Sequence, residues 1–415
     1  MTHVQNKLGK ITIGCMMNQF NNSGFETMKI TSLGLENVGG ISNLNLENLN
    51  PQMNIICGEN GVGKTNILDS IASWFSENDK NTLKKKVGSD KGKILVITDN
   101  LGSNHYEISI DKFDPEQYDS YLNNQNYGNV KKSLLYLKTN RGIDYKKISS
   151  IQADPDIEHR ARYNATGINN DDIKDWLLNR ILHSGHEKHL SEIQLKNLEF
   201  AKESFSLLNP DFKYSRLNTS NELFVNTPTG EIYFEYLSSG FKSIIYILLG
   251  IIKEIDYRLK HDDTAARDYN GIILIDEIEL HLHPEWQGRI CEVLKVAFPN
   301  AQFFISTHSP HVVQTALKGE VVALERKDGN VGRRELPESQ YGYQGWTVEE
   351  ILEDVMGMVD LRTQKYKEIK GRFDKALEDK DRNAAHIAYE ELDKMLHPQY
   401  PLRPVFRMQL DSLGE

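Results

Sequence analysis

The sequence has 415 residues, of which 39% are hydrophobic and 26% are charged, a composition typical of a globular protein with a sizeable core and room for two or three subdomains. Its net charge of −10 argues against nucleic-acid binding by overall electrostatic attraction. Any contact with DNA or RNA must therefore be local, and the short basic runs at residues 84–86 and 131–132 are more often solvated faces.

The cysteines and the apolar segments favour a cytoplasmic protein. Cys15, Cys57 and Cys291 lie far apart and lack the spacing of a zinc site or a disulfide framework, which indicates a reducing compartment. The strongest apolar run, residues 244–252, is much shorter than the roughly 20 residues that cross a bilayer. We therefore expect a buried helix there, no secretory signal and no membrane association.

The first part of the chain predicts a strand, loop and helix unit. Residues 1–27 show weak periodicity, so we expect a disordered N-terminal extension, with Met28 as a candidate start. A first lobe is predicted over residues 28–150. In it, a strand over 53–57 leads through a glycine loop into a helix over about 65–75, a hairpin follows over 94–110, and another strand over 134–137.

The glycine loop reads GENGVGKT and matches G-x-x-x-x-G-K-[ST] at every position, between an apolar strand and a helix. Its glycines let backbone amides turn toward phosphates, and the helix adds its positive amino end. Lys64 would neutralise the β and γ oxygens of ATP, and the Thr65 hydroxyl would hold Mg²⁺. The predicted nucleotide contacts here are Gly58, Glu59, Asn60, Gly61, Val62, Gly63, Lys64, Thr65 and Asn66.

The middle of the chain changes character twice. Residues 151–235 are more polar, with helical stretches near 173–182 and 193–208, and predict a helical insertion without the heptads of a long coiled coil. A second lobe over residues 236–330 returns to strands in GIILIDE and AQFFIST, each followed by a loop and a helix. This alternation predicts an α/β fold with a parallel sheet wrapped by helices.

Residues 331–415 are helical in pattern and form a candidate partner-docking region. We expect a C-terminal helical hairpin whose second helix is capped by Asp381. A short tail should follow, because the three prolines of HPQYPLRP forbid further helix.

Polar side chains follow the two strands of the second lobe. Asp276 and Glu277 end the strand IILI, where Asp276 should hold the magnesium shell and Glu277 should polarise the attacking water. His308 follows the strand AQFFIST, and its imidazole can donate to a γ-phosphate oxygen. Carboxyl ends of parallel strands are where such sheets place their sites. We therefore expect these three residues beside the phosphate loop.

The segment LSSGFK precedes the apolar helix. Ser238, Ser239 and Gly240 would form an amide-rich anion site at its start, although a plain N-cap is the commoner role of such a serine.

Phosphate loop, LSSG, LIDE and STHS occur in the order and context of ABC-type ATPases. Over most of residues 28 to about 324, the chain resembles the branch that contains the overcoming-lysogenization-defect nucleases and RecF-like and SMC-like proteins. The resemblance implies an ABC-type P-loop ATPase head with a mixed sheet. It also implies a head-to-head dimer, or a larger homo-oligomer, in which Ser238 and Gly240 of one subunit complete the ATP site of another.

After residue 324 the chain offers neither the strand ending in Glu nor the Asp-x-Asp of a TOPRIM nuclease domain. Its layout, with GWTVEEILEDVMG before the helical hairpin, is similar to the ATPase subunits of Septu-type anti-phage systems, including retron-associated forms. That resemblance implies an ATPase that controls a separate HNH nuclease. Two alternatives stay open: a RecF-like or SMC-like DNA repair ATPase, and a scaffold that binds ATP without significant turnover.

Some residues carry weaker signals. Gln152 is a candidate for the Q-loop glutamine, and Arg141 resembles an arginine of these ATPases, although a plain surface arginine is equally consistent with the sequence. His281 and His283 are suitable zinc ligands, but two imidazoles without a third ligand seldom form a site, so a subunit-interface loop is the better interpretation.

Overall fold

The computed structural model describes residues 28–76, 83–99, 106–114, 116, 130–140, 145, 147–148, 150, 153–155, 163–260, 262, 264–337, 339–358 and 361–414. The expected disorder of residues 1–27 lies outside this part of the chain, as do Arg141 and Gln152.

A six-stranded sheet forms the centre of the molecule. Its strands are β3 (Met53–Gly58), β6 (Leu134–Leu137), β10 (Ile272–Ile275), β11 (Gln302–Ser306), β12 (Val321–Lys327) and β13 (Asn330–Arg333). Their order is β13-β12-β3-β11-β10-β6, and all neighbours pair in parallel except β13 and β12. Strands β3, β6, β10 and β11 are buried along their whole length, which explains their continuous apolar sequences. The carboxyl ends of β3, β11 and β10 therefore lie side by side.

A second, antiparallel sheet has the order β2-β1-β4-β5. Its strands are β1 (Ile30–Val38), β2 (Ile41–Leu46), β4 (Gly92–Thr98) and β5 (Tyr106–Ile110). The pairing of β4 with β5 confirms the predicted hairpin. Buried and half-buried residues alternate along β4, as expected for a strand with one face on a core. That core also contains Ile67 and Ile71 of the helix after the phosphate loop. The fold class is α/β with parallel and antiparallel strands.

Helices cover these sheets. They are α1 (Lys64–Trp74), α2 (Tyr163–Thr166), α3 (Ile173–Ser184), α4 (Glu192–Leu208), α5 (Ser239–Arg258), α6 (Pro284–Gln287), α7 (Ile290–Ala297) and α8 (Pro310–Gln314). The apolar run of the sequence is the middle of α5, a helix that is buried from Ser243 to its end. In the part of the chain that the structure describes, no helix is long and apolar enough to cross a membrane.

The segment expected to be a helical insertion is only partly helical. It contains α3 and α4, but also an antiparallel sheet of β7 (Lys213–Leu217), β8 (Leu223–Thr227) and β9 (Gly230–Tyr233). The strands are short, and the outer two, β7 and β9, are exposed or half-buried along their length. Because they lack a regular alternation of apolar residues, the sequence pattern did not indicate them.

The C-terminal region begins with α9 (Val348–Glu350), which continues as a π-helix over Ile351–Val355. It then forms α10 (Gln364–Glu378), α11 (Arg382–Met395) and α12 (Arg403–Asp411). Asp381 caps α11 as predicted, because its side chain accepts from Ala384 N at 3.0 Å. The predicted short tail is wrong: α12 forms because a proline lies in its first turn, where its missing N–H is not needed.

The helices α10, α11 and α12, with the turns between them, are called the three-helix unit below. They share a hydrophobic core of their own, in which Phe373 of α10, Leu392 of α11 and Phe406 of α12 are buried. This core is distinct from the two cores of the ATPase sheets.

Buried charges connect the middle segment to the central sheet. Asp256 of α5 accepts hydrogen bonds from Trp176 Nε1 at 2.9 Å, Arg180 Nε at 2.7 Å and Asn197 Nδ2 at 2.8 Å. Close by on the same helix, Arg258 donates to the carbonyl of Leu134 in β6 at 2.8 Å. Helix α5 thus joins α3 and α4 to the edge strand of the sheet. Buried charges persist only when they are paired in this way.

We predict that Asp256→Ala lowers the free energy of unfolding by about 3 kcal/mol or more, because buried donors on α3 and α4 lose their acceptor. Urea denaturation followed by circular dichroism measures the change. Glu107→Ala is the control. Glu107 pairs with Lys93 at 3.2 Å, and both side chains are nearly half exposed. Loss of that surface pair should cost below about 1 kcal/mol. Equal losses in the two variants would contradict this account.

Candidate nucleotide site

The phosphate loop follows β3 without a break and depends on its glycines. Gly58, Gly61 and Gly63 have φ angles of 136°, 72° and 109°, in the region that favours glycine. At Gly58 a Cβ atom would also lie 2.4 Å from the carbonyl oxygen of Leu324 in β12. Glycine is therefore required at position 58 both by the backbone angle and by the close approach of the neighbouring strand.

Lys64 begins α1 and turns back over the loop. Its Nζ donates to the carbonyls of Gly58 at 2.9 Å and Glu59 at 3.0 Å, and the side chain is buried. Burial lowers the pKa of the Lys64 amine, and nearby carboxylates oppose that shift. The ammonium group is thus held at the centre of the loop, where it can meet phosphate oxygens.

Asp276 lies at the end of β10 and joins three elements. Thr65 Oγ1 of α1 is 3.2 Å from both of its carboxylate oxygens, and Ser306 Oγ of β11 donates to it at 2.5 Å. Hydroxyl and carboxylate oxygens are the hard donors that Mg²⁺ takes in proteins. No group of three or more His, Cys, Asp or Glu side chains in the described residues is arranged to hold a metal ion. A magnesium ion at Thr65 and Asp276 would therefore complete its shell with phosphate and water.

Glu277 has a backbone conformation that is unusual for its residue type. Its φ angle is 47°, in the left-handed region that residues other than glycine, asparagine and aspartate seldom adopt. The Ser306 hydroxyl accepts from Glu277 N at 2.7 Å and so fixes this turn. Strained backbone of this kind tends to occur at functional sites because it sets the direction of a side chain.

His308 lies after β11 and is held through its backbone by Glu279. The Glu279 carboxylate accepts from His308 N at 2.6 Å and from Thr307 Oγ1 at 2.8 Å. Burial, together with the nearby charge of Lys64, lowers the pKa of His308 below its ordinary 6.5. The imidazole is therefore neutral near pH 7, with one N–H to donate.

The sequence prediction did not include Ser306 or Glu279. Both were visible in the motifs, as the serine before Thr307 and as the second acid after the strand, but neither motif says which atoms they contact. Ser306 is 30 residues from Asp276 in the chain and Glu279 is 29 residues from His308, so only the folded structure shows these hydrogen bonds.

Ser238 and Ser239 are exposed, and Gly240 is buried, at the start of α5. The Ser238 side chain accepts from Phe241 N at 3.3 Å, which is an ordinary N-cap. A Cβ atom at Gly240 would lie 3.4 Å from the carbonyl oxygen of His281. The segment LSSGFK, called the signature segment below, therefore packs on the loop that follows Glu277. The hydrogen bonds described for it do not join it to the phosphate loop of the same chain.

His281 and His283 lie in that loop and are both exposed. His281 adopts a φ of 65°, and His283 Nδ1 accepts from Glu285 N at 3.4 Å at the start of α6. These roles belong to a turn and a helix cap.

Residues 53–314 match the family described as AAA domain, putative AbiEii toxin, Type IV TA system. The fold and the phosphate loop thus define an AAA-domain protein of the P-loop ATPase class. The chain is also 39% identical to the Septu protein PtuA of Bacillus thuringiensis over 390 aligned residues. The alignment covers 93% of this chain and 98% of that protein. The chain belongs to the Septu PtuA family.

Two other likenesses are shorter or more distant. The Retron Vc95 probable ATPase of Vibrio cholerae is 39% identical over 98 residues, or 24% of this chain and 19% of that protein. The SMC head domain from Thermotoga maritima aligns with a TM-score of 0.43 at 14% identity, over 74% of this chain and 99% of that one.

We predict that Glu279→Ala lowers the free energy of unfolding by about 1–3 kcal/mol, because a hydroxyl and an amide lose their acceptor in a largely buried place. Glu285→Ala, which removes an exposed carboxylate nearby, should change it by less than about 0.5 kcal/mol. Chemical denaturation of both variants measures the difference. No loss in Glu279→Ala would show that Glu279 does not hold the His308 segment.

Proposed function

We propose that this chain binds ATP with Mg²⁺ through its phosphate loop and hydrolyses it. The observation that carries the proposal is the convergence of Lys64, Asp276, Glu277 and His308 at the carboxyl ends of three adjacent strands, β3, β10 and β11. The resident ion would neutralise phosphate charge from its place at Thr65 and Asp276. Together these groups offer the charge neutralisation, base and donor that phosphoryl transfer to water needs.

Glu277 has the role of general base in this proposal. Its carboxylate accepts a proton from the attacking water, and the turn fixed by Ser306 sets its direction. His308, as a neutral imidazole, donates its N–H to a γ-phosphate oxygen and orients the group under attack. Lys64 neutralises the β and γ oxygens throughout.

A second copy of the chain would complete the site. Ser238 and Ser239 are exposed at the start of a 20-residue helix, a place that favours anions. We propose a head-to-head dimer, or a larger homo-oligomer built from it, in which Ser238, Ser239 and Gly240 of each subunit contact the nucleotide of the other.

We propose that the chain acts in the cytoplasm in anti-phage defence and controls a separate HNH nuclease. Membership of the Septu PtuA family supports the defence role. The three-helix unit is the docking surface that we propose for that partner. It exposes five large apolar side chains: Ile387, Met395, Leu402, Val405 and Met408. Contiguous exposed apolar patches mark contacts with other proteins, and these five side chains are the candidate patch. DNA or RNA would be contacted mainly through the nuclease.

We predict that Lys64→Ala weakens ATP binding by roughly 100-fold or more, because a charge-assisted contact to the phosphates is lost. Glu277→Gln should bind ATP but hydrolyse it about 100-fold or more slowly, and should accumulate as an ATP-bound dimer. An ATP titration measures binding by Lys64→Ala. Phosphate release and light scattering measure the turnover and the dimer of Glu277→Gln. The control is Glu107→Gln, an exposed acid on β5 of the antiparallel sheet, with unchanged turnover. Equal, near-zero rates in wild type and Glu277→Gln would instead favour a scaffold that binds ATP without turnover.

We predict that Met408→Asp combined with Ile387→Asp abolishes co-purification with an HNH nuclease encoded by a neighbouring gene, since burying two carboxylates in an apolar interface is costly. ATP turnover should be unchanged. Gln409→Asp adds a charge beside Met408 at an exposed polar position and should retain the partner. A nuclease that binds the double variant as well as wild type would place the docking surface elsewhere. ATP-stimulated, salt-dependent binding of duplex DNA by the chain alone would favour a repair ATPase.

A further inference from the structure

The motif GWTVEEILEDVMG has no role in the site described above. It lies in residues 339–358, here called the bridge segment, between β13 and the three-helix unit. Its apolar side chains Tyr343, Ile351, Val355 and Met356 are buried in the same core as α8. The bridge segment is therefore packed into the ATPase head, although the chain continues from it into the three-helix unit.

One end of the bridge segment is attached to the helix behind His308. Helix α8 begins at Pro310, directly after the loop that carries His308. At the other end of α8, Gln314 Nε2 donates to the carbonyl of Trp346 at 2.7 Å. Tyr343 N also donates to the carbonyl of Ala316 at 3.4 Å. A shift of the His308 loop would thus move the short helix α8 and, through Gln314, the backbone at Trp346.

The other end lies against the phosphate loop. Arg334 Nη1 donates to the carbonyl of Asp354 at 3.1 Å, and its Nε pairs with Glu325 at 3.4 Å. Gly357 has a φ of 78°, and a Cβ atom there would lie 2.6 Å from Arg334 Nη2 and 3.5 Å from Oε1 of Glu59. Glu59 belongs to the phosphate loop. The Arg334 guanidinium and the Glu59 carboxylate therefore both lie close to Gly357 of the bridge segment.

The part of the bridge segment that carries Asp354 and Gly357 is an irregular turn. Met356 N donates to the carbonyl of Ile351 at 2.9 Å, and Met358 N to that of Leu352 at 2.9 Å, in place of regular α-helical bonds. Turns of the π type are rare and occur often at functional sites. A change of this turn would alter the direction in which the chain leaves the head toward α10.

We propose that the bridge segment transmits nucleotide occupancy to the three-helix unit, with Arg334 as a positioning residue at its phosphate-loop end. The inference rests on the proposed function, since it requires ATP at the phosphate loop. A bound polyphosphate adds negative charge at the loop that carries Glu59 and so changes how the nearby Arg334 guanidinium shares its contacts between Glu325 and the carbonyl of Asp354. Such a ligand shifts the bridge because it interacts differently with its two arrangements.

Hydrogen exchange measured by mass spectrometry on the full chain, with and without the slowly hydrolysed analogue ATPγS, tests the proposal. In wild type, ATPγS should change amide exchange over residues 346–358 by about five-fold or more, the lower range of coupling between sites. Gly357→Ala places a methyl group against Arg334 and should abolish that change. Gly329→Ala is the matched control, because Gly329 has nearly the same φ, 77°, but its Cβ would meet nothing within 4 Å. It should behave as wild type.

Arg334→Ala removes the same contact without altering the backbone, and should also abolish the change while binding ATPγS within about three-fold of wild type. Arg334→Lys keeps the charge and should restore part of it. A role confined to stability would not separate analogue binding from exchange in the bridge segment. If wild type binds ATPγS without any change over residues 346–358, or if both substitutions keep the full change, the inference is overturned but the proposed function is not. If wild type does not bind ATPγS, the proposed function fails as well.

Discussion

The hydroxyl of Ser306 holds the ends of two strands together, and the rest of the site depends on that contact. It donates to Asp276 and accepts from Glu277 N, so a side chain of β11 fixes both acids that follow β10. Thr65 reaches the same carboxylate from α1. Because these groups belong to adjacent elements of one sheet, the register of parallel pairing determines the distances of the site.

The parallel sheet makes such convergence possible because its buried strands all deliver their carboxyl ends to one edge. Several energetically unfavourable features also lie at that edge. Glu277 has a left-handed backbone, Lys64 is buried, and His308 has a lowered pKa. Each of these is unfavourable in isolation and persists because neighbouring hydrogen bonds hold it. Burial of the surrounding apolar core stabilises the fold and offsets the free energy that these features cost.

Buried charge has a second function away from the site. Asp256 and Arg258 lie on α5, the helix that starts with the signature serines. Their partners are on α3, on α4 and at the first residue of β6. The same helix therefore presents an exposed amino end and anchors the middle segment to the sheet. In a dimer, this arrangement would connect events at the signature to the body of the chain.

Several features could be predicted from the sequence because each depends on a local pattern. The phosphate loop, the buried strands β3 and β6, helices α3 and α4, and the cap at Asp381 follow from glycine spacing, apolar periodicity and capping residues. The strands β7 and β9 were not predicted, because exposed strands have no strong periodicity. Helix α12 was not predicted, because a proline that breaks a helix interior can also begin a helix. The roles of Ser306, Glu279 and Arg334 were decided by the tertiary structure alone. Their hydrogen bonds join residues that are distant in sequence, and no local pattern records which strand ends or loops will meet.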